Sequence, residues 1–301
     1  MLSRIAESFF WIGRYLERAE ATARLLSEHH HLLIEDRSVS EDIGSVALLD
    51  ALSISAPSVV DAGGLVAAVI GSPSDPSTVR GSVSAARENA RAVRDQLSVD
   101  VFEALNSAHI SLSRGLLFAA SPGVGLHRVV ERLLVAHGVI EWTMSRDEGY
   151  LFLALGRALE RMDMTSRLLA VRHEQLWPDS GPVATLRSAG GLNSFLRTKH
   201  PLDGDQVRQF LVLDANFPRS LLMSARGAES AVRGLGEQGA HDSGELLREC
   251  GMVRSQLEYV VSPDAATVDL LAADAQMAAA RASEAAALNF FNQAGTIVWS
   301  H

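Results

Sequence analysis

The chain has 301 residues, 47% hydrophobic and 21% charged, which suits one large or two average domains with a sizeable core and excludes a disordered chain. Its 27 basic against 36 acidic side chains leave a formal charge of −9, so nucleic acid and anionic membrane surfaces are not expected partners. A single cysteine excludes an internal disulfide framework and a cysteine-rich metal site, and no apolar run approaches the roughly 20 residues that span a bilayer.

The first element reads as a helix. Ile5, Phe9, Ile12, Leu16, Ala19, Ala23 and Leu26 recur at alternating spacings of four and three, the stripe of an amphipathic helix. Ser3 stands where an N-cap belongs. Glu7, Arg14, Glu17, Arg18 and Glu20 interrupt the apolar stretch, which argues against a secretory signal and for a soluble, cytoplasmic protein. His29, His30 and His31 read as the polar, frayed end of this helix. Further helices are expected over 79–97, 126–143, 148–173, 217–235, 243–262 and 264–292, with Pro and Gly falling between them. Strand-like alternation is absent. The predicted fold is all-α, with antiparallel helices packed as one or two bundles. Cys250, within a helical run of mixed polarity, reads as a packing residue. At the end of the chain, the run from Met277 to Phe291 is expected to pack on its own module, with Ile297, Val298 and Trp299 as a contact arm.

An internal repeat organises this pattern. Trp11–Leu26 reads WIGRYLERAEATARLL and Ala154–Leu169 reads ALGRALERMDMTSRLL, so nine identities recur at a constant offset of 143. A second set recurs at offset 139, with Asp75, Arg80, Ala86, Arg87, Ala92, Val93 and Arg94 reappearing as Asp214, Arg219, Ala225, Arg226, Ala231, Val232 and Arg233. The expected organisation is two copies of one helical module, residues 1–143 and 144–301, and not a solenoid of many short repeats.

On a helical wheel Glu7, Arg14 and Arg18 share a sector with Trp11 and Leu25, away from the Ile5/Phe9/Leu16 stripe. Glu17, Glu20 and Arg24 fill the remaining, polar arc, and Glu20 and Arg24 are spaced for an i,i+4 pair. In the second copy Arg157 and Arg161 hold the arginine positions, with Glu160, Asp163 and Arg167 on the arc. Three readings follow: buried ion pairs that fix how helices cross, an anion-binding arginine surface, or a solvated charged face. Under the first, Arg14 and Arg157 each meet a carboxylate. Arg146–Asp147–Glu148–Gly149 opens the second copy, where Asp147 can cap and the acidic groups favour a helix N-terminus.

The stretches MLSRIAESFFWIGRYLERAEATARLL, TMSRDEGYLFLALGRALERMDMTSRLL and FLVLDANFPRSLL closely resemble the bacterial alpha-E family, in the same order and across essentially the whole chain. Tyr150 stands where that family tends to have Trp after Asp-Glu-Gly, and residues 38–72 match poorly. The resemblance implies a helical protein encoded beside, or fused to, an ATP-grasp protein of amide-ligase type. Transglutaminase-like and proteasome-related peptidases are further neighbours. It implies no particular reaction and no cofactor. The charged positions of the motifs form the candidate site: Glu7, Arg14, Glu17, Arg18, Glu20, Arg146, Asp147, Glu148, Arg157, Glu160, Arg161 and Asp163.

Other chemistry finds little footing. Glu28-x-x-His31 is half of a di-iron carboxylate pattern, but the equivalent positions of the second copy are Val171 and Glu174, and no metal site is expected. The one lysine, Lys199, lies in no Walker A loop, and Gly123-Val-Gly125 lacks the third glycine and the preceding strand of a dinucleotide fingerprint. No Gly-x-Ser-x-Gly elbow occurs. The expected function is a non-catalytic helical partner of the ligase that positions peptide or amino-acid substrate. The alternatives are an enzyme using carboxylates such as Glu17 and Glu160 as acid and base, and a purely structural oligomer.

Overall fold

A run of 33 residues, Ser3–Glu35, forms the central helix α1, which buries side chains on nearly every side. Its N-cap position is Leu2, without a side-chain cap, so Ser3 is the first helical residue and not the cap expected for it. The computed structural model describes residues 1–36, 38–55, 61–115, 118, 121–171, 176–239 and 243–291. Within these are thirteen α-helices and no strand. After α1 come α2 (Glu41–Ala51), α3 (Ala62–Ile70), α4 (Val79–Ala92), α5 (Val99–Ser113) and α6 (Pro122–Thr143). The second half runs α7 (Glu148–Ala170), α8 (Gly181–Ser188), α9 (Leu192–Thr198), α10 (Gly204–Leu213), α11 (Leu221–Glu237), α12 (Gly244–Tyr259) and α13 (Ala265–Ala286). No helix of the described residues is long and apolar enough to cross a membrane.

Local chemistry sets most of these boundaries. Ser40, Asp61, Thr78, Ser98, Ser121, Asp147, Asp203, Ser220 and Asp264 each accept a backbone N–H of the following first turn, and Pro122 occupies the first turn of α6. Asp147 caps α7 as its sequence context suggests, with Oδ1 accepting from the Tyr150 N–H at 3.1 Å. A π-helical turn, Ala287–Phe291, ends the described chain and inserts Phe290 and Phe291 beside Phe152 and Phe10, with ring centroids 5.2 and 5.3 Å apart. The chain up to Phe291 therefore packs on itself as expected, while the arm at Ile297–Trp299 lies outside the described residues.

The helices α1 and α7 cross at the centre. A Cβ built on Gly13 would stand 2.1 Å from the Leu153 carbonyl oxygen, and one on Gly156 would stand 2.1 Å from that of Phe10. Only glycine at both positions lets two backbones approach this closely. Contacts rise together along the two helices: Phe9 meets Gly149, Gly13 meets Leu153, and Glu17 meets Arg161. This pair therefore runs in the same direction, and the expected antiparallel arrangement does not describe it. No short hairpin loop joins the two helices, so nothing in the connection imposes opposite directions. In the first half α4 and α6 pack on α1, and in the second half α11 and α13 pack on α7. Buried apolar side chains from Ala6 to Phe291 form one continuous core across both halves.

The histidines of α1 are not a frayed end, because the helix continues to Glu35 with His29 and His30 buried. The Trp177 indole N–H donates to Nδ1 of His29 at 3.1 Å, which requires a neutral ring. Burial, and then the neighbouring His30, push the His29 pKa down to about 4. A depressed histidine stabilises the fold above its unfolded pKa near 6.5, and that contribution is lost as pH falls toward 4. Urea unfolding is expected to show about 2 kcal/mol less stability at pH 5 than at pH 7. A His29→Phe variant is expected to lose this dependence; an unchanged pH profile would contradict the assignment.

Candidate functional site

The duplicated Glu-Arg pairs face each other across the crossing. Arg161 donates from Nε and Nη2 to Oε1 and Oε2 of Glu17 at 2.9 and 2.7 Å. Reciprocally, Arg18 donates from Nε and Nη2 to Oε1 and Oε2 of Glu160 at 2.5 and 3.1 Å. These fork-on-fork contacts join positions 17–18 and 160–161, which the 143-residue offset makes equivalent. The flanking pairs match as well: Arg24 donates to Glu20 at 2.7 Å and Arg167 to Asp163 at 3.0 Å.

The symmetry ends at the third arginine. Glu160 also accepts from Nε of Arg14, whereas Arg157 turns away to Glu141 of α6 at 2.5 Å. Both arginines thus meet a carboxylate. On the Glu17 side Arg219 completes the set, donating to Oε1 of Glu17 at 3.3 Å and Oε2 of Glu20 at 2.6 Å. The N-caps Thr78 and Ser220 place Arg219 opposite Ser77, at an offset of 142. The offset of 139 that aligns Arg80 with Arg219 in sequence is therefore not the offset of the caps, because five residues separate Asp214 from Ser220 and two separate Asp75 from Thr78.

Glu17, Glu20 and Glu160 are all almost completely buried, so the arc read as polar is interior. The arc is covered by the partner helix, by His137 of α6 and by Arg219. Burial alone would raise the Glu17 pKa, but Arg161 and Arg219 outweigh it and hold the carboxyl well below the usual range. Burial acts the same way on Glu20, where His137 and Arg219 prevail and bring it down to about 2. The charge on Glu160, against an opposing desolvation cost, raises Arg18, and Glu17 does the same for Arg161.

The remaining candidates lie elsewhere. Arg146 bonds the carbonyl and carboxylate of Glu141 and covers the Tyr150 ring at 3.9 Å, while Asp147 and Glu148 serve the start of α7. Glu7 makes no ion pair among the described residues and borders a groove with Trp11. Of the twelve candidates the structure brings together Arg14, Glu17, Arg18, Glu20, Glu160 and Arg161, with Asp163 at their edge. Arg219, His137 and Glu141 belong to the network and were not among the candidates. Arg219 carried a signal, as a member of the second repeat; the other two carried none.

Glu17, Glu20 and His137 also bring ligand atoms within 4.8 Å of one another, a carboxylate–histidine set suited to a divalent cation. Both oxygens of Glu17 already accept from arginine, so a cation there has to displace guanidinium donors. Cys250 is buried and its thiol is pushed up to about 12 by burial, then by Glu229 and Glu249, which suits packing.

Residues 1–291 match the family model Alpha-E, described as a predicted alpha-helical domain with a conserved ER motif. Glu17–Arg18 and Glu160–Arg161 are such dipeptides, and each pairs with the other. The chain is 26% identical over 253 residues to uncharacterized proteins of Mycobacterium bovis and Mycobacterium tuberculosis, a match covering 73% of this chain. It spans 28% of the length of those relatives. No solved structure matches the chain.

Proposed function

The chain belongs to the Alpha-E family, and from that premise we propose that it is a non-catalytic helical accessory of an ATP-grasp-type amide or peptide ligase, holding substrate or partner in place. The observation that carries this reading is the commitment of its buried carboxylates to arginine. Glu17, held well below the usual carboxylate range, has no proton to give at neutral pH and little strength as a base. Such a network fixes geometry rather than moving protons. The match to a 28% share of longer relatives agrees with a helical unit that works beside other domains. A transglutaminase-like peptidase is a second partner in the same cytoplasmic peptide-modifying system.

We read the architecture as two copies of one module, 1–143 and 144–301, sharing a single core. The helix α6 ends at Thr143 and α13 begins 143 positions after α6. The order α1 to α6 recurs as α7, α8 and α10 to α13, and the reciprocal Glu-Arg pairs lie where the copies meet.

Co-purification with the neighbouring ligase, followed by ATP-dependent ligation with and without this chain, tests the proposal. The expected result is a complex and at least tenfold (about 1.4 kcal/mol) faster ligation with the chain present. Product formed by this chain alone, or ligation unaffected by it, would overturn the reading.

A further inference from the structure

Two cavities flank the α1–α7 crossing and are lined by equivalent residues. One, of about 30 Å³, is lined by Ala21, Arg24, Arg161 and Thr165, and the other, of about 130 Å³, by Met164, Arg167, Arg18 and Thr22. These pairs differ by 143 positions throughout. The smaller cavity is filled from within, because Arg219 reaches Glu17 and Glu20 there and its carbonyl accepts the Thr165 hydroxyl at 3.1 Å. In the larger cavity Ser77 stands in place of Arg219, and its side chain is too short to bridge to the carboxylates as Arg219 does. The Thr22 hydroxyl, on a residue only 1% exposed, has no hydrogen-bond partner among the described residues, whereas its equivalent Thr165 has one.

The charge balance around the open cavity is positive. Arg14, Arg18 and Arg167 stand against Glu160 and Asp163. Asp163 is already satisfied, with Oδ2 accepting from Arg167 and Oδ1 from the Gln276 amide at 3.0 Å. Among the described residues Nη1 of Arg18 and Nη2 of Arg167 remain uncommitted, because the bonds of Arg18 use Nε and Nη2 and those of Arg167 use Nε and Nη1. A buried hydroxyl donor, two spare guanidinium edges and one excess positive charge are complementary to an oxyanion.

We propose that this cavity, between Arg18, Thr22, Ser77 and Arg167, binds a small oxyanion, carboxylate or phosphate. The site lies within this chain alone, so its test does not depend on the ligase partner. Acetate and inorganic phosphate, titrated separately into the full chain at constant ionic strength and followed by calorimetry and melting temperature, distinguish the two sources. The expected result is saturable binding of one of them with a rise in melting temperature. Thr22→Val removes an unpartnered hydroxyl, so the free chain melts at or above the wild-type temperature while the affinity falls at least tenfold. Ser77→Arg imitates the filled cavity and abolishes binding. No saturable binding of either anion, or equal affinity in folded Thr22→Val and Ser77→Arg chains, would overturn the proposal.

Discussion

Glu160→Ala is expected to destabilise the protein by about 3–5 kcal/mol, the cost of leaving buried charge without its partner. Glu160 is wholly buried and accepts from both Arg14 and Arg18, so its loss strands two guanidiniums at once. Arg18→Met is expected to cost less. Its side chain is 23% exposed, and Arg14 remains to neutralise Glu160. Urea denaturation of the single and double variants measures the difference. The pair Glu160→Ala with Arg18→Met is expected to be less destabilised than the sum of its parts, since the second substitution removes a charge the first one orphaned. A loss below about 1 kcal/mol for Glu160→Ala would mean that water reaches the crossing and the pair behaves like a surface salt bridge.

This asymmetry separates specificity from stability. Buried ion pairs are often replaceable, as a set, by apolar residues of similar volume with little loss. Their effect at this crossing is to fix one register. Sliding α7 by one turn along α1 would break both forks and bring Cβ atoms onto the glycine positions. A helical accessory that must present one surface to a partner needs that kind of register control more than it needs added stability.

The long helices were legible because their apolar spacing is regular over many turns, and α1, α6, α7, α11, α12 and α13 fall close to the expected ranges. The helices α2, α3, α8, α9 and α10 were not, since each has eleven residues or fewer and their short runs show no clear period. In α5, Val101, Leu105, Ala108 and Leu112 do carry helical spacing, masked by intervening Ser, Asn and His. The Glu-Arg repeat marked the site, but a wheel shows only which residues share a face of one helix. It could not show that Glu17 and Glu20 face inward, because the covering groups, Arg161, Arg219 and His137, come from three other places in the chain. The most direct pointer to the crossing was Gly13, repeated as Gly156 inside otherwise favourable helical sequence, where glycine is normally a cost.

That cost makes the glycines a sharp test. Gly13→Ala taken alone would strengthen α1 by up to about 1 kcal/mol through helix propensity. Against this, the new Cβ would stand 2.1 Å from the Leu153 carbonyl oxygen and 2.9 Å from the Arg157 nitrogen, both backbone atoms that no rotamer change can move. The helices must separate, and overpacking of this kind costs about 1–3 kcal/mol, occasionally more. Separation also stretches the two forks, Arg18 to Glu160 and Arg161 to Glu17, which lie within about two turns of the contact. A net loss of about 2 kcal/mol is expected for Gly13→Ala, and the same for Gly156→Ala. The double variant is expected to lose less than the sum, because the first separation makes room for the second methyl. Gly138→Ala is the internal control: it lies within α6, its Cβ would meet nothing within 4 Å, and it is expected to gain up to about 1 kcal/mol. If Gly13→Ala melts at or above the wild-type temperature while Gly138→Ala behaves as described, the backbones at the crossing are not in contact and the reciprocal Glu-Arg geometry falls with them.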